Sequence, residues 1–229
     1  MIMIKKYFSK ILIILWKDIK GELRTKETLS SMIVFGILVL VIFNFSFDFS
    51  RDTALSTAPG VLWVAILFSS ILGLNRTFTT EKESNAMQGI LLTPIDKGAF
   101  YIGKLLGIIV FMIVFEIILL PFFTLFFNLS LFLYLPKLTG VILLGTLGIC
   151  SVGTILSAVS INTRMREVML PLLLFPVIIP VVIGAVNATG IILRQESQSG
   201  LMDWVRLLVF FDVLYTVVSY FLFEYVVTE

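Results

Sequence analysis

Six stretches of the chain are apolar for long enough to cross a lipid bilayer, and most polar residues collect between them. A spanning helix needs about 20 mostly apolar residues. The pattern predicts spans over residues 29–48, 58–75, 105–127, 137–160, 168–190 and 204–227. The second is short and lies between Pro59 and Arg76. The fifth carries Pro171, Pro176 and Pro180, which a membrane helix tolerates when neighbours satisfy the freed carbonyls. Ahead of the first span, Ile4, Phe8, Ile11, Leu15, Ile19 and Leu23 recur at helical spacing, and Lys6, Lys10, Lys17, Lys20 and Arg24 occupy much of the rest. This predicts an amphipathic helix over 4–27 in the membrane interface, with its lysines toward anionic headgroups. It is not a secretory signal. Its apolar stretch, Ile11 to Trp16, is short, and Lys17, Asp18 and Lys20 follow in place of a small-residue cleavage site.

Charge sets the orientation. Arg51, Lys137, Arg194 and Arg206 fall on one side of the six spans, and the rest of the 17 basic residues fall on the other. Basic residues mark the cytoplasmic side, so both termini are expected there. The reading is an all-α membrane protein with N-in/C-in topology in a bacterial inner membrane. It is one membrane domain over 1–229, with a cytoplasmic loop over 76–104.

Composition narrows the chemistry. The chain is 59% hydrophobic and 14% charged, far from a soluble domain. It has no histidine and one cysteine, Cys150. Zinc hydrolases and Ser-His-Asp or Cys-His enzymes are excluded on inventory, as is any internal disulfide. Gly98 to Lys104 fits the first seven positions of a phosphate-binding loop, but Leu105 stands where a Mg2+-binding hydroxyl is needed and no strand precedes it. Lys104 reads instead as a cytoplasmic anchor at a helix end.

The 76–104 loop is the most informative segment. Polar residues open it and an apolar cluster closes it at Pro94. A short helix from about Thr80 to Leu92 would present Met87, Ile90 and Leu91 on one face. Such a face needs a partner, the membrane surface, or its own bundle.

The loop, with Glu81, Glu83, Asn85, Met87, Gln88, Leu91 and Pro94, resembles the ATPase-coupling region of ABC-2-type permeases. A closer resemblance is to the CcmB family, the haem exporter permeases of cytochrome c maturation. It is carried by Ala58-Pro59-Gly60-Val61-Leu62-Trp63-Val64-Ala65, by Leu74-Asn75-Arg76-Thr77-Phe78, and by Leu170-Pro171-Leu172 and Phe175-Pro176 in the fifth span. Pro59, Gly60, Trp63 and Arg76 are the family-motif residues. Asn85 and Gln88 depart from the Gly and Glu usual in ABC-2 permeases, although Asn still accepts a left-handed turn. The resemblance implies an ABC-2 exporter-like permease fold with a short periplasmic loop over 187–203, forming a homodimer on two copies of a separate ATPase (CcmA), which binds the ATP-Mg. It further implies partners CcmC and CcmD, a haem chaperone CcmE, and haem as cargo. Without histidine, the chain is expected to bind no cofactor alone, leaving axial ligation of haem to partners.

Two acids lie within spans: Glu116 in the third and Asp212 in the sixth. Intramembrane acids usually face a bundle interior or a water-filled cavity. Each serves either a structural hydrogen bond or a role in coupling or a substrate path. Other readings of the chain are an ABC-2 permease for a lipid, glycan or drug, and a non-transporting scaffold.

Overall fold

The computed structural model describes residues 2–46, 51–83, 96–128, 135–161, 163, 165–195 and 198–228. Its elements are α1 (Ile2–Thr25), α2 (Glu27–Ser46), α3 (Arg51–Arg76), α4 (Thr79–Glu83), α5 (Lys97–Phe127), α6 (Leu135–Ser160), α7 (Arg166–Arg194) and α8 (Gln198–Thr228). Six of these, α2, α3 and α5 to α8, are long and apolar enough to cross a membrane. The all-helical membrane architecture read from the sequence is the one observed.

Five of the six spans, all but α2, are longer than the hydropathy pattern alone suggests. α3 runs through Pro59, so this residue sits inside the helix and does not bound it. α5 begins at Lys97 because Asp96 caps it: the Asp96 carboxylate accepts from the amides of Gly98 and Ala99 at 2.8 and 3.2 Å. The loop expected over 187–203 is corrected. α7 stays helical through Ile191-Ile192-Leu193 to Arg194, Gln195 takes the left-handed conformation that stops it, and α8 has begun by Gln198. A left-handed Lys26 (φ 56°) likewise separates α1 from α2.

α6 is the centre of the bundle, packed against α3, α5, α7 and α8. Its small residues allow this. A Cβ on Gly145 would lie 2.1 Å from the Trp63 ring of α3, and one on Gly153 would lie 2.3 Å from Leu74. Trp63 is fully buried, and its indole N–H donates to the Thr189 hydroxyl of α7 at 2.9 Å. One side chain thus joins three spans. Tyr101 of α5 donates to the Ser151 carbonyl of α6 at 3.0 Å, and the Ser157 hydroxyl donates to the Leu74 carbonyl at 2.6 Å. In lipid, packing and such polar contacts hold helices together, because there is no apolar surface to hide from water. α2 and α8 leave wide apolar faces outward, including Val34, Ile42, Phe210, Val217 and Phe221. The Tyr7 and Tyr220 hydroxyls lie 3.3 Å apart, so α1 and the end of α8 meet at one end of the bundle. This agrees with an even number of crossings.

Gly145→Ala should therefore lower stability by about 1–3 kcal/mol through overpacking, with Trp63→Leu recovering part of the loss. Thermal unfolding of the two single variants and the double variant in detergent tests this. An unchanged Gly145→Ala variant would contradict the α3–α6 contact.

Candidate functional site

Four elements converge at the end of the bundle where α1 and α8 meet. The chain leaves α3 at Arg76, turns through Thr77 and Phe78, and enters the short α4. α4 is pinned on both sides. Glu81 points inward and is almost fully buried. The Lys104 ammonium, 1% exposed, donates to Glu81 Oε1 at 2.6 Å, to the Thr77 carbonyl at 2.7 Å and to Asp18 Oδ1 at 3.2 Å. Lys17 of α1 reaches the same Glu81 oxygen. On the other side, Lys82 donates to the Ile161 carbonyl just past α6. Beneath the turn, Phe78 is buried with Phe100 of α5 and Phe223 of α8, at ring separations near 6 Å (6.1 and 6.3 Å from Phe78). Lys104 Nζ stands 5.2 Å from the Phe78 ring centroid, within cation–π range.

One expectation is corrected here: Lys104 is not a cytoplasmic anchor at a helix end but the buried centre of an ion cluster. The helix carrying it also supplies the phosphate-loop look-alike: Gly98 to Lys104 is helical, Gly98 lies under the Tyr220 ring, and a Cβ on Gly103 would meet Ile14 at 2.9 Å. These glycines admit neighbouring helices, not a phosphate. On α1, the inward stripe is Tyr7, Ile11, Ile14, Asp18 and Glu22, at helical spacing. Phe8, Leu12, Trp16 and Leu23 point outward. The inward stripe thus mixes apolar residues with Asp18, which pairs with Lys104, and Glu22, which accepts from the Leu29 amide of α2.

Burial by itself would raise the Glu81 carboxyl; the adjacent Lys104 and Lys17 ammoniums outweigh this and hold it below the ordinary value of 4.5. Burial would lower Lys17, but Glu81 and Asp18 raise it above its ordinary 10.5. The Glu81 contribution to stability is therefore present above about pH 4.5 and is lost as pH falls through its lowered value. The Lys17 contribution is present below 10.5 and is lost as pH rises through its raised value.

The other sequence candidates separate. The Glu83 side chain, Asn85, Met87, Gln88, Leu91 and Pro94 lie outside the described residues. Pro59 and Trp63 are core residues, nothing crowds Gly60, and Arg76 forms an exposed pair with Glu27. Glu116 is buried and accepts from the Thr146 hydroxyl of α6. Asp212 is buried against Gly148, and its oxygens have no hydrogen-bond partner among the described residues. Two residues apart on a helix means about 200° of rotation, so Glu116 and Asp212 touch nearly opposite sides of α6 and do not form one site. The sequence reading missed Asp18, Lys17, Lys104 and Phe78 as a unit. The available signal was an ammonium inside an apolar helix, which needs a carboxylate partner.

Lys104→Met should cost about 3 kcal/mol, because it strands buried carboxylates, and Glu81→Gln added to it should recover part of that. Thermal unfolding against pH reads both effects. The wild type should hold a plateau between the two ordinary values and lose stability on the acid side of Glu81. A Lys104→Met variant that melts like wild type would contradict the cluster.

The chain was compared with known proteins. A family model described as CcmB protein matches residues 9–228. The Heme exporter protein B of Pseudomonas aeruginosa is 25% identical over 193 residues, covering 84% of this chain and 86% of that protein. That of Paracoccus denitrificans is 27% identical over 176 residues, 76% and 80% of the two chains. That of Haemophilus influenzae is 26% identical over 192 residues, 82% and 86%. With the family model matched over nearly its whole length and six apolar helices in the expected places, this chain belongs to the CcmB family of multi-pass inner-membrane proteins.

Proposed function

We propose that this chain is the membrane permease subunit of a haem exporter serving c-type cytochrome maturation, driven by a separate ATPase subunit. The observation that carries the coupling half of this reading is the double pinning of α4. Glu81 ties it to α1 and α5, and Lys82 ties it to the end of α6. A helix fixed to both a peripheral helix and the central span passes a push on the loop into the bundle as movement of packed elements. Glu81 does this from inside: its paired, buried carboxylate positions α4 and does not dock a partner itself. Docking falls to the residues after it, with Met87 and Leu91 as the apolar anchors.

The ATPase of the complex is CcmA, with ATP-Mg bound there. CcmC, CcmD and the chaperone CcmE complete the assembly, with two copies of this chain at its centre. Haem is the cargo of the complex. The chain's lack of histidine supports ligation of the iron by partners. Glu116 keeps its hydrogen bond to Thr146 as a neutral amide would, which favours a structural role for it.

Three outcomes test the reading. The affinity-purified chain, expressed with its partners, should bring down an ATPase, and Met87→Asp or Leu91→Asp should release it while the chain stays monodisperse. The chain purified alone should show no stoichiometric low-spin haem spectrum. Glu116→Gln should leave cytochrome c yield and melting temperature near wild type. A strain lacking the chain that matures c-type cytochromes at full yield would overturn the function itself.

A further inference from the structure

A cavity of about 1060 Å3 opens between α1, α2 and the adjoining ends of α3 and α5. Exposed Glu27 and Arg76 mark its rim, buried Glu22 lies in its wall, and Ile71, Leu72, Ile108 and Phe111 form its apolar floor. Phe111 lies seven residues beyond Lys104 on α5, about 10 Å deeper along the helix axis. The cavity therefore runs from headgroup depth toward the hydrocarbon. The exposed Phe8, Leu12, Trp16 and Leu23 of α1 place that helix at the same interface.

The lining is acid-rich. Asp18, Glu22, Glu27, Glu81 and Glu167 face it, against Lys17, Arg76 and Lys104. Lys17 and Lys104 are engaged with Asp18 and Glu81, while half-exposed Arg76 meets Glu27 through one nitrogen and keeps further N–H donors for the rim. Five carboxylates against three cations leave two negative charges in excess among the described lining residues, carried by Glu22 and Glu167. Glu22 is buried, with Oε1 accepting from the Leu29 amide at 2.8 Å. The second oxygen of Glu81, Oε2, is buried and has no hydrogen-bond partner among the described residues. A buried acceptor left unpaired costs free energy until a donor reaches it. The missing group is thus a cation with N–H donors, attached to something apolar. An anionic carboxylate or phosphate alone would meet like charge. A basic protein segment would satisfy the rim but leave the floor unused.

We propose that this cavity binds a membrane phospholipid with a primary-ammonium (ethanolamine) headgroup. The ammonium lies against the acidic wall of Glu22 and Glu81, the phosphate lies toward Arg76 at the rim, and the start of the acyl chains covers the floor. A choline headgroup has the same charge but no N–H, so it cannot serve Glu81.

Native mass spectrometry of the purified chain with phosphatidylethanolamine, phosphatidylcholine or phosphatidylglycerol tests this. The ethanolamine lipid should be retained about tenfold better than the other two, one charge-assisted hydrogen bond being worth about that factor. Glu22→Gln, which keeps an acceptor for the Leu29 amide, should lower that preference severalfold, while Glu224→Gln should not. Free phosphoethanolamine should compete poorly, because it leaves the floor bare. Equal retention of the three lipids would overturn the proposal. So would a preference unchanged in Glu22→Gln, competition by phosphoethanolamine as strong as by the lipid, or protection of the cavity from deuterium exchange only when a protein partner is bound.

Discussion

One buried ammonium organises the end of the bundle where α1, α4 and α5 meet. Lys104 sits two turns into a largely apolar helix, where an unpaired buried charge would be prohibitive. Its neutralisation demands that Asp18 of α1, the Thr77 carbonyl and Glu81 of α4 all reach it at once. Three segments far apart in the chain are fixed by the same requirement. Replacing such a cluster with apolar residues often leaves stability unchanged or higher. Its value here lies in specifying one arrangement of α1, α4 and α5 over alternatives that would strand a charge.

The rest of the molecule builds outward from that joint. α6 is packed closely against α3 through Gly145 and Gly153, which admit the Trp63 and Leu74 side chains. Trp63 then links α3, α6 and α7 deeper in the bundle. A displacement of α4 meets two stiff paths, one through Glu81 to α1 and α5 and one through Lys82 to the end of α6. Close-packed interiors transmit such strain and do not absorb it.

The sequence made the spans legible because a 20-residue apolar run has few alternatives in water. The helical period ahead of the first span made α1 legible as a helix, but not which face it buries: Ile11 is buried, whereas Phe8 and Leu23 are exposed. What hydropathy could not show was which polar residues face inward. Lys104 looked like a helix-end anchor because a lysine there normally snorkels to water. Only the approach of Asp18 and Glu81, 86 and 23 residues away in sequence, turns it inward. The helix boundary at Lys97 was hidden for a different reason: it is set by a single capping carboxylate, Asp96, which hydropathy does not register. The family motif is also unequal in physical content. Trp63 and Pro59 are core, whereas Arg76 is exposed and nothing crowds Gly60.

The account's central claim is that the Lys104 joint carries motion from α4 into the spans. The most direct measurement is the haem transferred per ATP hydrolysed by the reconstituted complex, compared between wild type and the charge-exchanged pair Lys104→Glu with Glu81→Lys, and the single Lys104→Glu. The account predicts that the single variant hydrolyses ATP but transfers at least about tenfold less haem per turnover, and that the exchanged pair regains part of the transfer. A single variant that transfers haem at the wild-type ratio would contradict it.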